Sequence, residues 1–333
     1  MSTPPGLGPH LIGTRVVVRR VLPGQSGPTG GPAFTDLLGV MESWDEGVTT
    51  VRNAAGEVTA IRIADIVSGK PVPPRPSVRL RVSADEAERR ANASWPAVET
   101  AALGDWLLRA SGGFSSRANS VMAVGSPGVP LAEAVSSVAD FYRSRGLPPW
   151  AQVVVGSDVH LGLERLGWVH ARPDEADTCF QVAAVSGALR AVRRTLPPVV
   201  PPVTVTDRAT PEWLANDERA VAHGADALAV LEGPAEVGFA AVVVDGSVVA
   251  KGRVAGDLGS ADDWIGITDV WVSPERRRQG LGAVVMAALL EWGAERGATT
   301  VYLQTRGDNP KALALYDKLG FLTHHEYRYL TPG

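Results

Sequence analysis

The stretch from Val270 to Gly282, Val-Trp-Val-Ser-Pro-Glu-Arg-Arg-Arg-Gln-Gly-Leu-Gly, constrains the fold of this chain more than any other. It reads as a strand, a short turn, a glycine-bearing bend and a helix start. After Gly282, the residues Val284, Val285, Ala288, Leu289 and Trp292, with Leu281 before them, fall three and four apart, the spacing of one buried helical face. Gly297 ends that helix.

The bend suits an anion. The first N–H groups of a helix have no internal partner, and the aligned peptide dipoles place partial positive charge there. Gly280 and Gly282 put no Cβ in the way of a close approach to the backbone. Arg276, Arg277 and Arg278 add positive charge, so a phosphate or pyrophosphate is the natural guest. Two familiar phosphate loops fail the comparison. No Gly-x-x-x-x-Gly-Lys-Ser/Thr run occurs, and the dinucleotide fingerprint requires Gly or Ala where this chain has Val285.

Arg277-x-x-Gly280-x-Gly282 behind a strand resembles the acyl-CoA-binding motif of the GNAT superfamily of N-acyltransferases. A second motif, Asn309-x-x-Ala312-x-x-x-Tyr316-x-x-x-Gly320-Phe321, follows the next strand, Thr299 to Leu303, in the family's order. The resemblance implies an α/β (α+β) chain with a mixed sheet and an acetyl-CoA cleft where Ile267 to Val272 and Thr299 to Leu303 splay apart. It implies cofactor contacts from Val270, Trp271 and Val272, from Arg277, Arg278, Gln279, Gly280, Leu281, Gly282 and Ala283, and from Asn309, Ala312 and Tyr316. Backbone groups of Val270 and Val272 are expected to hold the pantetheine arm, and the amides from Arg278 to Gly282 the pyrophosphate.

Direct acetyl transfer to an amine requires a proton for the departing thiolate, and Tyr316 stands at the family's position for that acid. Some relatives have a Glu base where this chain has Gln304. Asp269 is therefore the first candidate for the base, with Asp262, Asp263 and Glu232 behind it, and a neutral amine needs no base if positioning suffices. His324 and His325 are expected near the mouth of the cleft. With no third ligand at a recognisable spacing they read as polar strand residues, and no metal is expected.

The rest of the chain frames this lobe. Two proline clusters, Pro71 to Pro76 and Pro197 to Pro202, mark boundaries, giving residues 1–75, 77–196 and 203–333 as three domains. Runs Arg15 to Val21, Leu38 to Trp44, Val48 to Arg52 and Val58 to Ile63 read as a small SH3-like β-barrel, with a Gly/Pro/Ser-rich loop from Gly24 to Pro32 and a turn at Asn53 to Gly56. In the last domain a helix over Pro211 to Ala222 precedes two strands and the first motif, and Gly256 to Asp263 forms a loop beside the site.

The middle segment echoes the last one. A helix ending at Arg145-Gly146, a strand Ala151 to Val155 and a helix ending at Leu166-Gly167-Trp168 repeat the order of Arg296-Gly297, strand, Leu319-Gly320-Phe321. Trp106 to Ala110 and Ala118 to Val124 read as strands about the Gly112-Gly113 turn. This GNAT-like lobe is degenerate, because Gly128 to Glu133 lacks the Arg-x-x-Gly-x-Gly pattern. It is either a structural partner or a wall of the acceptor pocket, in which case Arg109, Arg117 and Asn119 are candidates for a carboxylate-bearing acceptor. The plain alternative is that each is an ordinary surface or strand-end residue.

A net charge of −4 gives no general pull toward nucleic acid or an acidic membrane, so neither is expected as a partner. The lone Cys179 builds no disulfide and reads as a bland thiol. The start lacks a signal-peptide pattern, and the chain is expected to be cytoplasmic. The whole arrangement, through Trp106 to Ser120 and Arg145 to Pro149, resembles actinobacterial GNAT proteins regarded as N-acetylglutamate synthases. Three readings are open: acetylation of a small amine such as the α-amino group of L-glutamate, acetylation of a protein or peptide amine, and a non-catalytic acetyl-CoA sensor. A homodimer is one option for the assembly.

Overall fold

The computed structural model describes residues 6–27, 30–53, 56–72, 78–258 and 263–333. The chain divides into two compact units, Met1–Ser77 and Val78–Gly333. The boundary expected near residue 76 falls between them. The one expected at Pro197 to Pro202 falls inside the second.

The first unit is one antiparallel sheet of β1 (Arg15–Ser26), β2 (Pro32–Asp45), β3 (Val48–Arg52), β4 (Val58–Arg62) and β5 (Ile66–Pro71). The strand order is β4-β3-β2-β1-β5. A closed barrel was expected, but the two outer strands β4 and β5 do not pair among the described residues, so the sheet is open and bent by register shifts in β1 and β2. The loop expected from Gly24 to Pro32 is shorter than that, since β1 runs to Ser26 and β2 begins at Pro32. Residues 28, 29, 54 and 55 of the expected loop and turn lie outside the described residues, as do residues 73–76 of the first proline cluster. Val16, Val18, Met41, Val51 and Ile61 form the core.

The second unit holds α1 (Ala84–Ala93), β6 (Glu99–Leu103), β7 (Trp106–Ala110), β8 (Val121–Met122), α2 (Leu131–Arg143), β9 (Ala151–Val154), α3 (Asp158–Arg165), β10 (Trp168–His170), β11 (Thr178–Ala184) and α4 (Val185–Arg193). Then come β12 (Thr204–Thr206), α5 (Pro211–Leu214), α6 (Glu218–Leu231), β13 (Glu236–Val244), β14 (Ser247–Gly256), β15 (Trp264–Val272), α7 (Leu281–Glu295), β16 (Thr300–Arg306), α8 (Pro310–Lys318) and β17 (Leu322–Pro332). The echo seen in sequence is present as α2–β9–α3 and α7–β16–α8. Two expectations change. The strand at 118–124 is reduced to β8 by a 3-10 turn over Arg117–Asn119. The helix at 211–222 is two helices, the second capped by Asp217 and bent at Gly224, whose φ is 48°.

The lobes are not separate. One twelve-stranded sheet runs β12-β13-β14-β15-β16-β11-β17-β9-β8-β7-β6, with β10 beside β17. The last strand of the middle lobe, β11, pairs with β16 over its whole length. The last strand of the chain, β17, passes β11 and pairs with β9. Each lobe thus lends a strand to the other. Apolar side chains of α4 and α7 cover one face of the C-terminal half, with Val285, Leu289, Ile265 and Val301 fully buried. Among the described residues no helix is long and apolar enough to cross a membrane.

A fragment of residues 203–333 leaves β16 and β17 without β11 and β9. Unpaired central strands expose both ladder groups and apolar surface. We expect residues 78–333 to melt as one cooperative unit by circular dichroism and residues 203–333 alone to aggregate; a soluble, cooperatively melting short fragment contradicts the exchange.

Candidate functional site

β15 and β16 are parallel neighbours over only four positions, from Trp264↔Thr300 to Ile267↔Leu303. Beyond these, β15 stays on β14 as far as Val272, while β16 stays on β11 as far as Arg306. The two strands part, leaving a wedge. Its β16 side is residues 304–306, just past the stretch expected from sequence.

A bulge shapes the β15 side. Lys251 pairs with Trp271 and Arg253 with Thr268, so β15 carries one extra residue there. Asp269 takes it up with φ 54°, a left-handed conformation that costs a non-glycine residue roughly 1–2 kcal/mol. Ser273 N–H donates to Val249 O at 2.9 Å, so strand alternation turns the backbone groups of Val272 and Val270 away from β14, toward the wedge. Arg277 Nε donates to Val272 O at 3.3 Å, a contact an incoming pantetheine arm would replace.

The bend has the backbone geometry of an anion cradle. Arg278 and Gly280 have φ 61° and 80°, which turns successive amides toward one point. Gly280 precedes Leu281, Gly282 and Ala283 at the start of α7, and no side chain caps that turn. A Cβ on Gly280 would also stand 3.0 Å from Pro197 Cδ, a tight contact that adds to the preference for glycine set by its φ. A Cβ on Gly282 would meet only Val272, at 3.8 Å. The side chains of Arg276 to Gln279 are exposed. These groups fit a pyrophosphate. Because the fold has room for a Cβ at position 282, Gly282→Ala tests the cradle alone. We expect the variant to keep the wild-type melting temperature and lose about tenfold or more in acetyl-CoA affinity by calorimetry; unchanged affinity would displace the pyrophosphate from this bend.

Asn309 caps α8, its Oδ1 accepting from Ala312 N–H at 3.2 Å. Tyr316 lies half-buried on α8 against Phe321 and hydrogen-bonds Thr305 at the end of β16. Burial raises the Tyr316 pKa, and the Thr305 hydrogen bond opposes the rise only partly. Side chains alternate along a strand. Thr305 therefore shares the helix side of the sheet with Tyr316, and Gln304 and Arg306 face the other side.

On that other side lies a cavity of about 240 Å³. Its walls include Thr268 and Asp269 from β15, Gln304 and Arg306 from β16, and Arg117, Arg172 and Arg219 from three further segments. Both lobes build it. Arg172 Nη1 is 3.1 Å from Glu175, Arg306 is 3.0 Å from both Glu175 and Asp308, and Arg219 is 3.8 Å from Asp217. Arg117 lies over Trp95 at 5.3 Å and has no ion-pair carboxylate among the described residues. Asp269 Oδ2, Arg117 Nε and both amide atoms of Gln304 are buried without a hydrogen-bond partner.

Several sequence candidates lie elsewhere. Arg109 is fully buried and spent on structure, donating to Ser120 O at 3.0 Å, Gln152 Oε1 at 2.7 Å and Asn92 Oδ1 at 3.3 Å; it is not free for an acceptor. The Asn119 amide is likewise filled by backbone groups of Ser111, Gly113, Phe114 and Ser115. Glu232 binds Arg208 and the Ala209 N–H, and Asp263 binds Thr299 at the far end of β15, so neither faces the wedge. Asp262 lies outside the described residues. His324 and His325 bond Val82 O and Glu88 rather than lining the cavity. No cluster among the described residues is arranged to hold a metal. Cys179 is buried, its thiol pushed up to about 11 mainly by burial.

Sequence reasoning missed Arg172, Arg219 and Arg306. Arg306 was within reach, since it is two residues past Gln304 on the same strand face. Arg172 and Arg219 carry no spacing signal, because they arrive from different elements.

Known proteins resemble this chain in sequence and fold. The family described as "Probable histone acetyltransferase Rv0428c C-terminal" matches residues 84–330, and "Rv0428c N-terminal Sm-like domain" matches residues 10–70. The probable histone acetyltransferase Rv0428c of Mycobacterium tuberculosis is 30% identical over 335 residues, 96% of this chain and 95% of that protein. The uncharacterized N-acetyltransferase YobR of Bacillus subtilis is 30% identical over 259 residues, 72% of this chain and 96% of that protein. Among solved structures, a GCN5-related N-acetyltransferase from Kribbella flavida shares the fold with TM-score 0.51 and 19% identity, over 75% of this chain and 96% of that one. A tandem GNAT protein of clavulanic acid biosynthesis shares it with TM-score 0.51 and 15% identity, over 64% and 74%. This chain belongs to the Rv0428c family and is an N-acetyltransferase of the GNAT kind.

Proposed function

We propose that the protein moves an acetyl group from acetyl-CoA to the primary amine of a small acceptor bearing carboxylates, with the α-amino group of L-glutamate as first candidate. One observation carries this reading: the cavity at the strand parting gathers Asp269 and the arginines 117, 172, 219 and 306 in its lining. Guanidinium groups offer a forked pair of donors to carboxylates, and a single acid among them suits the amine.

Acetyl-CoA, when bound, supplies a thioester as acyl donor. Val270 and Val272 hold its arm, the amides at Arg278 to Gly282 hold its pyrophosphate, and Asn309 with Ala312 flanks it from α8. As the N–C bond forms and the C–S bond breaks, Asp269 takes the amine proton and Tyr316 gives its own to the departing sulfur. Tyr316 suits this role because its raised pKa keeps the phenol protonated beyond pH 10. Loss of this acid by deprotonation therefore falls above pH 10, with no alkaline limb from it below.

A protein or peptide amine is the second reading. The Mycobacterium tuberculosis relative is named a probable histone acetyltransferase. The Escherichia coli ribosomal protein bS18 alanine N-acetyltransferase is 40% identical over 53 residues, 16% of this chain and 36% of that protein. The cavity also shares Asp269 and Arg219 with one neighbouring hollow and Ser115, Ser116 and Arg172 with another, leaving room for a longer acceptor.

Thiol release from acetyl-CoA, measured against free amino acids with L-glutamate included and peptide amines beside them, decides between the two. Turnover on glutamate with none on peptides is the expected outcome, and turnover on peptides alone installs the second reading. Asp269→Asn and Tyr316→Phe are each expected to lower kcat by about 10²–10⁴-fold with acetyl-CoA affinity nearly unchanged. A Tyr316→Phe enzyme with wild-type kcat rejects the acid role.

A further inference from the structure

Buried polar side-chain atoms are nearly always hydrogen-bonded, and each exception in a native structure demands a reason. Among the described residues eight such atoms lack a partner. Four of them, Arg117 Nε, Asp269 Oδ2 and both Nε2 and Oε1 of Gln304, belong to three residues of the one cavity at the strand parting. A buried donor or acceptor left unmade carries its full desolvation penalty, and a ligand that supplies the missing partners removes it.

The strand pattern explains why Gln304 is left so. The last β15–β16 pair is Ile267↔Leu303, making Gln304 the first residue of β16 with no β15 neighbour. Across β11 its partner is Phe180, whose ring offers no amide a strong hydrogen bond. Asp269 stands across the gap, two residues past Ile267.

An amide presents a donor and an acceptor side by side. The α-amine and α-carboxylate of an amino acid present the complement, one bond apart. Building on the acceptor reading above, we infer that Gln304 is the specificity-determining residue for a free α-amino acid. Its Oε1 accepts an N–H from the attacking amine, and its Nε2 donates to the carboxylate on the adjoining carbon. Arg117 binds that same carboxylate, and Asp269 faces the amine from the opposite strand. An amine with no carboxylate beside it leaves Gln304 Nε2 and Arg117 Nε unfilled. A glutamate at position 304 would offer acceptors only and set a second negative charge beside Asp269, repelling the carboxylate.

The test uses the full chain as wild type, Gln304→Leu and Gln304→Glu. Each is assayed on the best amino-acid acceptor of the panel and on the α-carboxamide of that amino acid, with acetyl-CoA affinity measured alongside. In Gln304→Leu we expect the amino-acid KM to rise about tenfold or more and the carboxamide KM to rise by a smaller factor, since the carboxamide loses the same amine contact but only a neutral-acceptor bond in place of a charge-assisted one, with the acetyl-CoA Kd within about twofold of wild type. Gln304→Glu, which is isosteric and carries the test if the leucine variant does not fold, is expected to prefer the carboxamide over the amino acid. Wild-type KM and wild-type preference in both variants overturn this inference and leave the proposed function standing. An equal rise in KM for both acceptors also overturns it, since a merely structural role would weaken both alike. A wild-type enzyme that uses no carboxylate-bearing acceptor overturns the function reading, and this inference with it.

Discussion

The site depends on β16 having β11 rather than a strand of its own lobe as its second neighbour. β16 pairs with β11 from Ala184↔Thr300 to Thr178↔Arg306, while β15 is committed to β14 as far as Val272. A twisted sheet rotates each strand relative to the next, and two strands held by different neighbours on either side can separate. The bulge at Asp269 and the wedge beyond Ile267 follow from that double commitment. Without β11 the end of β16 would have nothing to hold Gln304 and Arg306 beside the gap.

The exchange needs a device that fixes its register, because slipping β17 by one residue would turn every side chain to the wrong face. Buried polar groups supply one. His325 Nε2 lies 2.9 Å from Glu88 Oε1 on α1, Gln152 Nε2 donates to Glu88 Oε2 at 2.8 Å, and Arg109 Nη2 donates to Gln152 Oε1 at 2.7 Å. The chain joins α1, β7, β9 and β17. Buried ionic groups are weak evidence for stability, and their best-attested use is to specify one arrangement over its alternatives. A β17 shifted by one position takes His325 away from Glu88 and leaves a buried carboxylate short of a partner. This also gives Arg109 its role: it belongs to the lock between lobes, and the degenerate lobe earns its place through the wall it contributes to the cavity.

The donor half of the site was legible in sequence because it is local. Arg277-x-x-Gly280-x-Gly282 specifies a backbone shape over a few residues, and φ values of 61° at Arg278 and 80° at Gly280 realise it. Asn309 and Tyr316 sit on one short helix at a spacing fixed by its turns. The acceptor half is not local. Arg117, Arg172 and Arg219 converge on one cavity from a 3-10 turn, a loop and the start of α6, and no spacing along the chain encodes that. The strand exchange was hidden for the same reason, since β11 and β17 each look like the closing strand of their own lobe. The proline cluster before β12 read as a domain boundary because prolines favour extended linkers, yet Pro197 stands against Gly280 at the anion cradle.

The placement of the two halves on opposite faces of the sheet limits what the enzyme can do. The cradle on α7 and the Tyr316 phenol lie on the helix side, and the arginines lie on the other. A sheet is closed to a reacting group wherever its strands are hydrogen-bonded to one another. Only the unpaired stretch past Ile267 and Leu303 lets an acyl group held on one side meet an amine held on the other. On the proposed reading the acceptor reaches the reaction by fitting the cavity that both lobes line, with its amine at Asp269 and Gln304. On that same reading, selectivity for the acceptor rests in the middle lobe and the ends of β15 and β16, while the glycine bend selects only the donor. That division explains how a lobe without an acyl-CoA motif still shapes the chemistry of this chain.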